Sequence, residues 1–244
     1  MSKLIHLFIL TGLSAITTVV PQLRAGSRPL HSYSVEAPIA RTTTLAEKAQ
    51  FLFDSLDLDQ LGLSEEAFQY AYKGYTELVE KGLIRKNGLL TICDFSQSSR
   101  NKRLYLVDME NFQVLKNTYV AHGRNSGGEF AKSFSNSPRS HKSSLGFYIT
   151  SSTYKGGHGL SLRLQGVEKG INDKAMLRHI VIHGSNYVGD KFLDRSPFLG
   201  RSFGCPAIPA EETKDIIETI KDGSCLFIYH PSNTYLKTSK ILNG

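Results

Sequence analysis

The sequence predicts a mainly β protein with helices, a β-sandwich or barrel preceded by a small N-terminal helical segment. Three observations carry that expectation. Apolar residues recur at helical spacing between residues 45 and 82, and from Leu89 onward they alternate in short runs divided by turn residues. A single clear helix then returns late, at 210–221. Short strands with so few helices fit a sandwich or barrel rather than alternating βαβ units. At 244 residues, 40% of them hydrophobic, the chain has enough apolar material for one medium domain.

Taken in order, residues 1–25 read as an export signal. Lys3 opens a mostly apolar run from Leu4 to Val20, Pro21 breaks it, and Leu23-Arg24-Ala25 offers a cleavage site. The alternative is an uncleaved anchor, since about 17 residues approach the lower limit for spanning a bilayer. Either way the rest of the chain is expected outside the cytoplasmic membrane, periplasmic or wall-associated. Residues 26–42, with Pro29, Pro38 and scattered serines, read as a linker.

Two helices are expected within residues 43–84. The first runs from Leu45 to Leu56. The second is capped by Ser64 and carries Glu65 and Glu66 in its first turn, where the helix dipole favours anions. Phe68, Ala71, Tyr72, Tyr75, Leu78 and Val79 share one face, and Gly82 supplies the stop. That aromatic face suits packing against the following domain or the partner helix; sugar binding is the competing reading. Strands are expected at 89–95, 103–108, 113–120, 145–151, 160–164, 179–183 and 225–229, within a main domain at 85–232. Residues 233–244 read as a C-terminal tail. Two long polar loops, 121–144 and 184–201, are the natural places for binding and chemistry.

Composition narrows the partners. The net charge is +7, and loss of residues 1–25 would remove Lys3 and Arg24 and no acid, leaving +5. That is a mild attraction to polyanions such as wall polymers. No basic helix or zinc spacing accompanies it, so nucleic acid is not expected. Nothing calls for a metal or another cofactor, and oligomeric state is not legible.

Three cysteines in an exported chain leave at least one thiol outside any intramolecular disulfide. Cys93 and Cys225 sit in apolar, strand-like runs and suit buried positions, free or joined to each other. Cys205 differs, because it lies in Gly200-Arg201-Ser202-Phe203-Gly204-Cys205-Pro206. A cysteine nucleophile needs a base and an open approach. His183 closes the apolar run Ile180-Val181-Ile182, where Gly184 lets the chain turn away, and one loop separates it from Cys205. The backbone N–H groups of Gly204 and Cys205 are candidate oxyanion donors. Arg201 adds positive potential that favours thiolate and attracts a substrate carboxylate, and Ser202 is expected to hydrogen-bond near the cysteine or the histidine. His158, among glycines, and Tyr148, on a strand, are candidate walls of a cleft.

Ile182-His183-Gly184 followed by Ser202-Phe203-Gly204-Cys205 resembles the signature of L,D-transpeptidases of the YkuD-like fold. The wider pattern is similar to the branch described as the murein L,D-transpeptidase catalytic domain family. Asn117 to Gly127, Ser143 to Tyr148 and His158 to Leu164 match it, in order, within residues 45–229. Phe203 stands where the broad pattern has histidine, Ala207 where it has asparagine, and no arginine follows the cysteine.

The resemblance implies a periplasmic enzyme acting on peptidoglycan stem peptides through a Cys205 thioester. His183 would be base and then acid, with the Gly184 carbonyl orienting its ring. The acceptor would be a neighbouring stem, a free D-amino acid or a wall-attached protein. Water as acceptor would instead make an L,D-carboxypeptidase, endopeptidase or amidase. From a different class, a non-catalytic wall-binding module remains the alternative.

Overall fold

The computed structural model describes residues 43–244; the expected signal and the whole of the expected linker lie outside the described residues. Thr44 begins the first helix, α1 (Leu45–Ser55), with a reciprocal capping box. Its side chain accepts the Glu47 N–H, and the Glu47 carboxylate accepts the Thr44 N–H at 2.7 Å. Ser64 caps α2 (Glu65–Glu80) by accepting the Ala67 N–H at 3.2 Å. Such a cap stabilises a helix by about 1 kcal/mol. The aromatic face of α2 turns inward: Phe68, Ala71 and Leu78 are buried in the same core as the strands, and Tyr72, Tyr75 and Val79 pack against it. The described residues, 43–244, form one compact unit.

Eight strands follow: β1 (Leu89–Asp94), β2 (Leu104–Asp108), β3 (Gln113–Thr118), β4 (Gly146–Gly156), β5 (Gly159–Gly166), β6 (Val181–Ser185), β7 (Ala207–Pro209) and β8 (Cys225–Tyr229). They make one mixed sheet in the order β3-β2-β1-β8-β4-β5-β6-β7. The β1–β8 and β6–β7 pairs are parallel and the rest antiparallel. Beyond β3 the chain continues to Ala121, which exchanges backbone hydrogen bonds with Ala207 of β7 at 2.8 and 3.3 Å. The two ends of the strand order therefore meet, which is the barrel-like closure expected for this class.

Two differences from the sequence reading have physical causes. β7 has only three residues and is bounded by Pro206 and Pro209, so it carries no alternation to read. The last twelve residues, read as a tail, form α5 (Asn233–Thr238) and α6 (Lys240–Asn243), with Tyr235, Ile241 and Leu242 buried. Glu168 ties them to the sheet. Its buried carboxylate accepts the Phe147 N–H at 2.8 Å, the Tyr235 hydroxyl at 3.0 Å and the Ser239 hydroxyl at 2.5 Å. Between β6 and β7 lies the one-turn α3 (Asp190–Leu193), and a 3-10 turn at Ala210–Glu212 leads into α4 (Thr213–Ile220).

Cys93 and Cys225 are free and fully buried. In the β1–β8 register Cys93 faces Ile228 and Cys225 faces Leu90, three positions apart. That offset is about 10 Å along the strands, beyond disulfide reach.

Gly74 marks where α2 seats on the sheet. A Cβ at Gly74 would overlap the ring of Phe147, which is fully buried and stacked on Phe227 with centroids 4.1 Å apart, so the ring has nowhere to go. Gly74→Ala is expected to lower unfolding free energy by about 1–3 kcal/mol in denaturant melts, as overpacking does. Gly157→Ala, with open space around it, should stay within about 0.5 kcal/mol of wild type. Equal effects would mean that α2 does not pack as described.

Candidate active site

His183 and Cys205 arrive on neighbouring segments. In the β6–β7 register His183 pairs with Ala207, two residues beyond Cys205. The His183 side chain is buried, and its Nδ1 lies 3.0 Å from the Gly184 carbonyl oxygen. A carbonyl only accepts, so Nδ1 carries the proton and Nε2 keeps its lone pair. The His158 ring stacks on the His183 ring with centroids 4.3 Å apart, which brings the tip of the β4–β5 hairpin into the site. Burial first, and then the neighbouring His158, hold the His183 pKa below the ordinary imidazole value. His183 is thus neutral at pH 7 and able to accept a proton.

Cys205 is partly exposed, and its sulfur is packed closely by protein. The thiol lies 3.6 Å from the His179 carbonyl oxygen, its hydrogen-bond partner among the described residues; no hydrogen bond joins it to His183. Burial raises the thiol pKa, and the Val181 N–H and the Arg178 cation pull against that rise. The resting pair is therefore neutral thiol and neutral imidazole.

The cysteine loop is fixed by its backbone. Ser202 accepts the Gly204 N–H at 3.0 Å and donates to the Cys205 carbonyl at 2.6 Å. On the far flank, Ser202 N–H donates to His122 O at 3.0 Å and Arg124 N–H donates to Ser202 O at 2.7 Å. Gly204 sits at φ +122°, and a Cβ there would crowd the Lys142 carbonyl, Arg178 and Ile180. Only glycine fits.

Three expectations are corrected. The Gly204 N–H is already taken by Ser202, so it is not free to serve an oxyanion; the Cys205 N–H has no partner among the described residues. Tyr148 is fully buried and donates to the Ser144 carbonyl at 3.0 Å, so it is a strut and not a cleft wall. His179 also stands outside β6, in a left-handed turn at φ +55°, and lends its carbonyl rather than its ring to the site. Arg201 is exposed, donates to the Gly127 carbonyl at 3.1 Å and lies over the Phe198 ring.

Sequence reasoning missed Arg178. Its guanidinium donates to the Ser135 carbonyl at 2.7 Å, the Lys142 carbonyl at 2.6 Å, the Ser140 hydroxyl at 3.3 Å and the Ser144 hydroxyl. It holds the 135–144 loop against the cysteine loop while placing a cation near the sulfur. The only sequence sign is an arginine heading an apolar strand, which says nothing of a loop 34 to 43 positions away. Ser143 was missed likewise; it accepts the Gly123 N–H at 3.0 Å and donates to the Gly204 carbonyl at 3.3 Å.

Fold and site together define a closed mixed-sheet domain that carries a cysteine on the segment next to that of an oriented, neutral histidine. Residues 59–229 match the family model described as the L,D-transpeptidase catalytic domain, and the chain belongs to that family. No curated protein matches the chain. Among solved structures, an L,D-transpeptidase from Mycobacterium smegmatis is 8% identical with a TM-score of 0.36, over 59% of this chain and 59% of that one. The helical cell shape determining protein of Campylobacter jejuni is 13% identical with a TM-score of 0.38, over 67% and 55%. An Enterococcus faecium L,D-transpeptidase is 13% identical with a TM-score of 0.33, over 59% and 50%. The chain spans less than two thirds of the length of each of these proteins.

The three thiols should separate on alkylation of the native protein. Cys205 is expected to react alone, with a rate that rises with pH and a midpoint above the ordinary thiol value, because burial raises its pKa. Cys93 and Cys225 should stay unmodified until the protein unfolds. Arg178→Met should move the midpoint higher still, and Arg178→Lys should move it less. Labelling of three thiols at equal rates, or a midpoint unchanged in Arg178→Met, would contradict this electrostatic picture.

Proposed function

We propose that the protein is an exported L,D-transpeptidase that acts on tetrapeptide stems of peptidoglycan through a Cys205 thioester. The observation that carries this reading is the oriented histidine: His183 has Nδ1–H committed to the Gly184 carbonyl and sits one strand away from Cys205. Family membership supports the reaction class. The apolar run after Lys3 supports export, to the periplasm or wall, where the substrate lies.

In the proposed reaction the Cys205 side chain turns from the His179 carbonyl and gives its proton to His183 Nε2. The sulfur attacks the carbonyl carbon of the third stem residue, and the negative charge gathers on the carbonyl oxygen. The free Cys205 N–H is placed to donate to that oxygen. Collapse breaks the peptide bond, and the terminal D-amino acid leaves with the proton from His183. An amine of a neighbouring stem then attacks the thioester. His183 takes the amine proton, a new amide forms, and the proton returns to the departing sulfur.

A resting neutral pair fits this sequence, since the proton need cross only when a carbonyl is present. Ser202 and Gly204 shape the loop, His158 stacks over the base, and Arg201 stands at the margin where a carboxylate would pass. Hydrolysis of the same thioester is the competing outcome within the enzyme class. The free Cys205 N–H and the oriented base argue for chemistry over a passive wall-binding module.

Incubation with a carbapenem should add one drug mass to wild type and none to Cys205→Ala. Isolated sacculi treated with wild type should gain 3–3 cross-links by muropeptide mass analysis. His183→Gln should slow acylation by at least about 100-fold, the usual scale of general-base removal. Tripeptides without new cross-links would establish hydrolysis instead. Absence of both acylation and muropeptide change would leave the binding module.

A further inference from the structure

The proposed base has little to orient it. The Gly184 carbonyl, 3.0 Å from Nδ1, is the one hydrogen-bond partner of the His183 side chain among the described residues. A single bond to the next residue's backbone leaves the ring able to rock about its Cβ–Cγ bond. A base that serves a nucleophile ordinarily has a third group to steady it. His158 meets that need by packing. Its ring lies on the His183 ring with centroids 4.3 Å apart and planes 21° apart, a stacked pair.

The turn that carries His158 is itself fixed. Gly156 pairs with Gly159 across β4 and β5, so Gly157 and His158 form a two-residue turn, and Gly159 takes up φ +73°. Below the turn Lys155 pairs with Leu160, and Tyr154 with Ser161. Arg163 stacks on the Tyr154 ring at 4.4 Å and donates to the Ser152 hydroxyl at 3.2 Å. Ser161 also pairs with His183 of β6, so one β5 residue registers both the hairpin arm and the base.

Few charges compete with His158 there. The residues paired with His183 on β5 and β7 are Ser161 and Ala207, which carry none. Lys214 of α4 is the other charged residue lining the cavity of about 480 Å³ that His158 shares with Gly184. From the 3-10 turn Ala210 lines that cavity, whereas Glu212 pairs with Lys116 and Glu211 lies near Gly189. On the hairpin Lys155 is exposed and Arg163 is turned to Tyr154. On the cysteine loop burial keeps the Cys205 thiol neutral. Burial first, and then His158 alone among charged groups, lower the His183 pKa. Of two stacked imidazoles the exposed ring is the cheaper to charge, and a proton there repels one on the buried ring.

We propose that His158 is a positioning residue: from the β4–β5 turn its ring holds the His183 ring in the plane that directs Nδ1–H to Gly184, and its charge keeps Nε2 free to accept. The proposal rests on the reading of His183 as the base.

Two measurements on the full-length protein test it. The first is the titration of the His183 C2 proton by NMR in wild type, His158→Phe, His158→Ala and Lys214→Met. Phenylalanine keeps a stacked ring and removes the charge, so the His183 midpoint should rise. Alanine also admits water, so the midpoint should rise further, while Lys214→Met should leave it in place. The second is the pH profile of carbapenem acylation, whose acid limb follows the His183 midpoint. That limb should move to higher pH in the same order. Above it, His158→Phe should react within about twofold of wild type and His158→Ala about tenfold more slowly, the direction expected when a reacting group is misplaced. His158 is exposed, so unchanged thermal melting will show that the variants fold. A His183 midpoint that moves in neither His158 variant, a larger shift in Lys214→Met, or an alanine rate equal to wild type above the limb overturns the role of His158. Failure of the base reading gives a different pattern: the midpoints shift as expected, yet wild type forms no acyl adduct at any pH.

Discussion

The cysteine segment is hydrogen-bonded along both flanks, and the rest of the site depends on that. On one side β7 runs parallel to β6, which sets His183 beside Ala207. On the other, residues 121–124 bind Ser202 and Ala207 through their main chain. That outer flank is itself held by Arg103, whose fully buried guanidinium donates to the Val120 carbonyl, the Gln97 carbonyl and His122 Nδ1. Burial brings the Arg103 pKa down to about 10, still far enough above neutrality to keep the charge. A buried cation without an ion-pair partner is costly, and here carbonyl oxygens and a neutral imidazole offset that cost. His122 is held neutral by the same burial, reinforced by the Arg103 charge.

This arrangement separates what must be fixed from what is free to vary. The loop geometry comes from main-chain bonds, from Ser202 and from the absence of a side chain at Gly204, and none of these uses the side chain of residue 203. Phe203 can therefore project into solvent without disturbing the sulfur next to it. The electrostatics divide in the same way. Packing lowers the basicity of His183 and raises the thiol pKa of Cys205, both by removing water, so each side chain favours its neutral form. Under the proposed mechanism, proton transfer between them would be a step taken with substrate, and the free protein is spared a standing thiolate.

The strands and helices were legible where local pattern decides them. Alternation placed seven of the eight strands, and Ser64 announced α2. β7 escaped because three residues, the last of them a proline, have no period, and the 233–244 helices escaped because Glu168, the residue that holds them, is far away in sequence. At the site, residue type and order singled out Cys205, His183 and Gly184 as candidates, but side-chain direction was not legible. Tyr148 looked like a wall because aromatic residues on strands do face clefts; its hydroxyl instead reaches back to Ser144 inside the core. The Gly204 N–H looked free because Ser202 is only two residues away, too near for the sequence to show that its side chain folds back. Arg178 had no sequence signal, because its role consists wholly of contacts to a distant loop.

The same logic bears on where specificity resides. His183 and Cys205 belong to segments pinned by strand pairing, with burial on both sides of β6. His158 is different: it sits at the β4–β5 turn between exposed glycines, and the ring stacking on His183 joins that turn to the site. In and beside the cysteine loop, Arg124, Arg201 and Phe203 are likewise exposed. Under the proposed function, a peptide at the sulfur would meet backbone held by hydrogen bonds and, around it, exposed side chains. Rigid backbone is what a short-lived oxyanion needs, since donors that must move at the moment of reaction forfeit part of their effect. Adjustable side chains are what choice among stems and acceptors needs. Under the proposed function, exchange of residues at these margins would be the route to a different acceptor with the thioester chemistry kept.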